Sequence, residues 1–244
     1  MKVNKYKVLA TLVRSFFDAF SSGIIDSTVG DKADTPADRH TPKAVKQMML
    51  DHYEHIAPVF MDTMFFPLAA MNYEYADIER VVREAQQRGD DMMALVRTAC
   101  GTDAMYEGMV TEYKRNFGNL LSGRMASNAD HLEAYTRGGD AEAVLSAERA
   151  VELTVRVVMF AYARGLRQNA KGKVQLRQAT LFRLMLDAMN VLLNDEAGGG
   201  GGGHPPAFGS LFLKVCHTQQ IFTTMTDEMD RTYDELVRRE GVEQ

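Results

Sequence analysis

Helical periodicity constrains the fold of this chain more than any other feature of its sequence. Apolar residues recur every three or four positions along most of the 244 residues, which places them on one face of a helix. Glycines such as Gly89, Gly101 and Gly123 interrupt the pattern, and helices commonly end at glycine. No window shows the period-two alternation of a half-buried strand. The sequence therefore predicts an all-α protein of nine or ten helices, arranged as an irregular antiparallel bundle or a short stack of helix pairs.

The N-terminal part is predicted to begin as a helix and to continue as a loop. Residues 5–21 carry an apolar stripe of period 3.6, and Gly23 is expected to end that helix. Residues 22–41 have no periodicity and hold four aspartates, among them Asp26, whose spacing does not match a calcium-binding loop. We therefore expect a mobile acidic loop with solvated aspartates.

Proline, glycine and capping residues set the predicted bounds of the later helices. Pro58 and Pro67 are expected to bracket a short buried helix at 59–71, because proline kinks or breaks a helix interior. Further helices are predicted at 76–88, 91–100, 103–122, 128–137, 140–164 and 173–194. The sequence has no internal repeat of about 30 to 45 residues, which disfavours a regular solenoid.

A run of six glycines, residues 198–203, is the one low-complexity segment of the sequence. With the histidine and two prolines that follow, it is expected to form a flexible linker over 198–206. The predicted organisation is a main helical domain (1–197), this linker, and a C-terminal helix pair (207–244) packed on the main domain. The two helices of the pair are predicted at 207–223 and 227–239.

Residues 153–186, called the basic stretch from here on, hold no Asp or Glu. Their cations are Arg156, Arg164, Arg167, Lys171, Lys173, Arg177 and Arg183. The basic stretch therefore has a local charge of +7 inside a chain of net charge −5. On the solvent side of two consecutive helices these cations would form a ridge that attracts phosphate, anionic lipid or an acidic protein. The alternative is that acids elsewhere in the fold neutralise them.

The overall charge indicates which kind of partner such a ridge would hold. Most dedicated nucleic-acid binders are basic as a whole, whereas this chain has a net charge of −5. That difference favours an acidic protein partner or a local RNA contact over a protein that coats nucleic acid.

Two histidine motifs invite a chemical interpretation that their spacing does not favour. In residues 51–55 the spacing of His52 and His55 is not the i, i+4 of zinc-protease helices. We expect one packed histidine, His52, one surface histidine, His55, and no metal site. Cys216 and His217 are adjacent on a predicted helix and would point about 100° apart, so they cannot bond to each other. Cys216 is expected to be a small buried hydrophobe.

An α-helical, magnesium-dependent enzyme acting on a phosphorylated small molecule is the alternative function. The basic stretch would clamp the phosphate, and the metal ligands would be Asp90, Asp91, Asn194, Asp195 and Glu196. Such a site requires these acids to converge in one pocket. Asp90 and Asp91 directly follow Gly89, however, and are better explained as helix N-cap residues.

The sequence also bears on the compartment. Two cysteines are too few for a disulfide framework, and no uninterrupted apolar run reaches the ~18 residues that cross a bilayer. With no secretory signal pattern at the N-terminus, we expect an intracellular protein, in the cytoplasm. Lys2, Lys5, Lys7 and Arg14 precede the first acid, which leaves a mitochondrial import presequence as the alternative.

These observations favour a non-catalytic helical interaction module, a scaffold or adaptor without a cofactor, over an enzyme. Its basic stretch is expected to hold an acidic protein partner or RNA. A third possibility is a subunit that docks onto a larger assembly through the apolar, Met-rich segment 58–71. That segment would then expose a hydrophobic patch of several hundred Å².

Overall fold

The computed structural model describes residues 1–29, 47, 50–122, 143–170, 172–193 and 215–243. Within them the chain forms two short strands, β1 (Lys2–Asn4) and β2 (Val144–Ser146), and eight helices. The helices are α1 (Lys5–Val29), α2 (Tyr53–Asn72), α3 (Tyr75–Arg88), α4 (Met92–Ala99), α5 (Asp103–Ser122), α6 (Ala147–Arg167), α7 (Gln178–Leu193) and α8 (Gln219–Glu240). The all-α class is confirmed, with eight helices in the described residues instead of nine or ten. The predicted helix at 128–137 and the linker at 198–206 lie outside those residues.

Helices α1 and α6 pack on each other more extensively than any other pair of described elements. They approach so closely that a Cβ atom on Gly23 would lie 2.3 Å from the carbonyl oxygen of Tyr162. A Cβ atom on Gly165 would lie 2.2 Å from the carbonyl oxygen of Phe20. The sequence predicted that α1 ends at Gly23. Instead α1 continues to Val29, and Gly23 allows the backbones of α1 and α6 to come into contact.

The apolar stripe of α1 lies in the core, as its periodicity indicated. Leu9, Phe16 and Phe20 are fully buried, and the ring of Phe16 packs edge-to-face on Phe60 of α2 at 5.0 Å between centroids. Among the described helices, α1 is also the one long and apolar enough to cross a membrane by length and composition, and 78% of its apolar window is buried inside the fold. Charged residues such as Arg14 and Asp18 interrupt this stretch, so the sequence shows no uninterrupted apolar run of ~18 residues there.

Helix α6 begins at Ala147, later than the predicted residue 140, and ends at Arg167. Residues 144–146, predicted as helix, pair instead with β1 in an antiparallel ribbon, with Val3 opposite Leu145. The hydroxyl of Ser146 then caps α6 by accepting a hydrogen bond from the amide of Arg149 at 3.1 Å. Strands of three residues are too short to show a period of two, so the sequence contains no signal for them.

Helix α2 is continuous past both prolines, which were expected to bracket a shorter helix. Its apolar face, with Phe60, Met64 and Leu68, is buried, and this packing offsets a cost of about 3 kcal/mol for each proline in a helix interior. None of the large exposed hydrophobic residues among the described residues lies in segment 58–71. That segment is part of the core, so the expected exposed patch is absent from it.

The bounds of α3, α4 and α5 agree with the sequence predictions to within a residue or two. Gly89 and Gly101 take positive φ values of 75° and 74° at the ends of their helices, a conformation that glycine adopts without strain. The carboxylate of Asp91 accepts a hydrogen bond from the amide of Ala94 at 2.8 Å. Asp91 is therefore the N-cap of α4.

The last two helices differ from the prediction at their starts. Residues 173–177, predicted as helix, are not helical, and Val174 forms an isolated parallel bridge with Val242. The predicted break between 223 and 227 does not occur, because α8 is continuous. The break falls earlier, where His217 has a φ of 61° and Thr218 caps α8 through the amide of Ile221.

Candidate functional site

The structure divides the cations of the basic stretch into two groups. Arg156 and Arg164 are largely covered, with 16% and 13% of their side-chain surface exposed. Arg167, Arg177 and Arg183 keep 43%, 38% and 51% of theirs exposed, and Lys173 is exposed as well. Lys171 lies outside the described residues.

Arg156 forms a bidentate ion pair with an acid of α8. Its two terminal nitrogens donate to the two carboxylate oxygens of Glu235 in α8, at 2.6 and 2.7 Å. The guanidinium lies over the rings of Phe66 and Phe160, at 4.6 and 4.8 Å from their centroids. Bidentate pairing and stacking on aromatic rings both favour arginine at this position.

Arg164, about two turns further along α6, connects three helices. Its guanidinium contacts Asp62 of α2 at 2.5 Å and Glu240 of α8 at 3.1 Å. It also donates to the hydroxyl of Thr63 at 2.7 Å. Neutralisation by acids elsewhere in the fold, the alternative left open by the sequence, therefore describes Arg156 and Arg164. It applies more weakly to Arg167 and Arg177, whose acid partners on other helices lie at 3.4 and 3.8 Å.

These residues belong to one group, called the ionic cluster below. Its members are Asp62, Arg156, Arg164, Glu235, Arg239 and Glu240. Arg239 completes it by donating to Glu235 at 2.7 Å. The cluster connects α2 and α8 to α6, and its contacts are between helices of the same fold.

We expect the ionic cluster to make stability depend on pH through Glu235. Hydrogen bonds from Arg156 first, and then from Arg239, lower the pKa of Glu235 from 4.5 to about 2. A carboxyl group with a lowered pKa in the folded state stabilises the fold above its unfolded-state pKa and loses that contribution as the pH falls. Urea unfolding should therefore show Glu235→Gln less stable than the native chain at pH 7, by about 1 to 2 kcal/mol after allowance for solvent screening.

The difference between the two proteins should shrink as the pH is lowered from about 4.5 towards 2. The two proteins should be compared with each other at each pH, because Glu228 also changes stability with pH. Burial raises the pKa of Glu228, so its protonation at low pH stabilises the fold, opposite to the effect of Glu235. A difference that stays constant from pH 7 to pH 3 would contradict the assignment.

The exposed cations lie in and around the turn between α6 and α7; two of them contact the C-terminal half of α1, whereas Arg167 pairs with Glu240 at the end of α8. Arg183 donates to the hydroxyl of Ser22 at 3.0 Å, and Arg177 donates to the backbone carbonyl of Asp26 at 3.3 Å. We call this region the turn surface and define it by Arg167, Lys173, Arg177 and Arg183. It is the part of the basic stretch that remains open to solvent.

Asp26 lies beneath the turn surface and is not solvated, contrary to the sequence prediction. Its carboxylate accepts hydrogen bonds from the hydroxyls of Tyr162 at 2.6 Å and Thr180 at 2.8 Å. Burial, and then this contact with Asp26, raise the pKa of Tyr162. These hydrogen bonds connect the C-terminal end of α1 to α6 and α7, next to the residues of the turn surface.

The described residues among the candidate metal ligands do not form a common site. Asp91 caps α4, and Asp90 pairs with Arg88 at 2.7 Å. Asn194, Asp195 and Glu196 lie outside the described residues, as do the side chains of several residues near His52 and His55. His55 is exposed and His52 is half-buried. The described part of the chain holds no group of three or more His, Cys, Asp or Glu side chains that could share a metal ion.

The two cysteines have the surroundings of core residues. Cys216 is fully buried, as predicted, and burial raises the pKa of its thiol to about 11. Cys100 is also buried, with a pKa raised to about 12. Such thiols are protonated at neutral pH and therefore poor nucleophiles.

Sequence analysis missed a groove between α7 and α8, which both pack on α6. It encloses about 400 Å³, and Met159, Leu181, Phe182 and Met229 are among the side chains that line it. Periodicity alone assigns such residues to a core. The signal that could have revealed the groove is Phe182, which lies at the margin of the core face of α7 and is 38% exposed.

Comparison of the chain with protein-family models, with curated proteins and with solved structures finds no match. Its function is therefore inferred from the geometry of the turn surface and of the groove.

Proposed function

We propose that this protein is a non-catalytic helical interaction module that holds an acidic segment of a partner protein on its turn surface. The observation that carries the proposal is the contrast between the two groups of arginines. Arg156 and Arg164 have short ion pairs and largely covered side chains. Arg167 and Arg183 are instead about half exposed, each with a single ion pair at 3.4 Å.

Long, exposed ion pairs contribute little to stability, about 0 to 1 kcal/mol each. The partner of Arg183 is Asp187, one turn along the same helix and itself 55% exposed. The partner of Arg167 is Glu240, which Arg164 also contacts. An incoming carboxylate can therefore replace these contacts at small cost, and Lys173 has no ion pair among the described residues that would have to be broken.

The net charge of the chain supports a protein partner over nucleic acid. At a net charge of −5 the molecule as a whole repels a long polyanion, while a short acidic segment can reach the turn surface alone.

The test is binding of a fluorescein-labelled peptide of about fifteen residues, rich in Asp and Glu and without apolar side chains, followed by anisotropy. The native protein should bind it, with an affinity that falls as salt is raised. The variant Arg167→Gln/Lys173→Gln/Arg183→Gln should bind about tenfold more weakly or worse, because each exposed charge contributes up to about 1 kcal/mol.

The matched control changes three exposed arginines of α3 to glutamine, Arg80, Arg83 and Arg88. It removes the same charge and should leave peptide binding within about twofold of native. No peptide binding by the native protein at low salt would reject the proposal. Binding of a single-stranded RNA of equal length that the turn-surface variant abolishes, with no peptide binding, would assign the surface to nucleic acid instead.

A further inference from the structure

The groove between α7 and α8 combines an apolar floor with an acidic margin. Its floor and walls include Met159, Leu176, Leu181, Phe182, Met229 and Tyr233. Asp230 lines the α8 side, and Asp227 and Asp234 lie one turn before and one turn after it on the same helix. All three carboxylates are exposed, and none has an ion pair with a described residue.

We propose that this groove is a second docking site, which binds a basic amphipathic helix of a partner protein. This goes beyond the turn surface, which has the opposite charge and none of whose defining residues lines the groove. The apolar side chains of such a helix would enter the groove, and its Lys and Arg side chains would meet the three aspartates.

The size of the site fits that occupant. Its volume of about 400 Å³ lies in the range of ligand-binding clefts, about 300 to 1,000 Å³. From Asp227 to Asp234 the acidic margin extends along about 10 Å of α8, given a rise of about 1.5 Å per residue. Cations spaced i, i+3 or i+4, and i+7 on a helix span the same distance, and apolar anchors at that spacing are how helices bind grooves.

The composition of the lining points the same way. Met159 and Met229 present unbranched thioether side chains that adapt to different apolar partners. Phe182 forms a wall on the α7 side and is 38% exposed. A second copy of this chain is a poorer occupant, since a symmetric pairing through this face brings two equal rows of aspartates together.

The chain contains no tryptophan, so the fluorescence of a Trp residue in a bound peptide can be measured without tryptophan emission from the protein. A synthetic peptide of about 18 residues, with Leu, Met and one Trp on one helical face and Lys on the flanks, can be followed by its own fluorescence. Binding in the groove should shift the Trp emission to shorter wavelength, and the peptide's helical content should rise.

Two variants separate the contributions of charge and of apolar contact. Asp227→Asn/Asp230→Asn/Asp234→Asn should weaken binding about tenfold or more and flatten its salt dependence. Phe182→Gln should weaken binding about tenfold and reduce the blue shift, while the salt dependence stays as in the native protein. Phe182 is at the rim, so this variant is expected to fold.

A control that changes the exposed acids Glu79, Glu84 and Glu107 to glutamine should bind like the native protein. The turn-surface variant should also bind this peptide like the native protein, so that failure at one site is distinguishable from failure at the other. The proposal is overturned if the peptide shows no blue shift with the native protein, or if the groove variants bind unchanged. It is also overturned if sedimentation shows a dimer that Phe182→Gln dissociates, because a second copy then occupies the groove.

Discussion

Replacing Gly165 with alanine should strongly destabilise this protein. The added Cβ atom would lie 2.2 Å from the carbonyl oxygen of Phe20 and 3.0 Å from the Cα atom of Gly23. Both contacts are with backbone, so α1 and α6 must move apart. We expect a loss of about 3 to 5 kcal/mol in the free energy of unfolding, a large part of the ~5 to 15 kcal/mol of a typical domain.

The same substitution at Gly118 provides the control. Gly118 lies within α5, and a Cβ atom there would have no neighbour within 4 Å. Alanine should raise stability at this position by about 0.5 to 1 kcal/mol, because glycine is the poorer helix former. Urea unfolding monitored by circular dichroism measures both. If Gly165→Ala were within 1 kcal/mol of the native protein, the close crossing of α1 and α6 would be refuted.

Replacing Arg156 with methionine should be the most damaging change in the ionic cluster. Methionine preserves much of the apolar stem but leaves Glu235 largely covered, with Arg239 as its remaining cation. Removing one member of a covered ion pair costs about 3 kcal/mol or somewhat more. Adding Glu235→Met should restore much of the loss, because an apolar pair has no unpaired charge.

Arg80→Met is the matched control for that prediction. Arg80 contacts Asp77 and Glu84 on the surface of α3, with 60% of its side chain exposed. Its loss should change stability by no more than about 0.5 kcal/mol. Equal effects of Arg80→Met and Arg156→Met would show that burial does not strengthen the pair with Glu235.

The parts of the fold that sequence analysis predicted well are those set by neighbouring residues. The bounds of α3 and α4 follow from Gly89, which takes a left-handed conformation, and from Asp91, whose carboxylate accepts a hydrogen bond from the amide of Ala94. Both signals act within one helical turn, so the sequence contains all the information needed.

The errors occurred where a distant contact overrides a local preference. Gly23 is a good C-terminal residue in isolation, but the chain needs it for the contact with α6. Pro58 and Pro67 would break an isolated helix, yet the buried face of α2 keeps it continuous. Packing against other helices determines these outcomes, and periodicity does not identify the partner.

The candidate site was predicted in composition but not in geometry. The local excess of cations in the basic stretch is a sequence property, whereas their pairing depends on which helices cover α6. Glu235 and Glu240 are more than seventy residues away from Arg156 and Arg164. Only the packing of α8 on α6 distinguishes arginines that stabilise the fold from those that remain open to a partner.

The pairing of α1 with α6 has a consequence for how the chain folds during synthesis. Helix α1 ends at Val29, and its main partner begins at Ala147, so more than one hundred residues must be translated before α1 can be covered. Native contacts of such sequence separation make folding slow. Until α6 emerges from the ribosome, α1 presents an apolar surface that favours aggregation. Dependence on chaperones should therefore be greatest for nascent chains that end before α6 is complete.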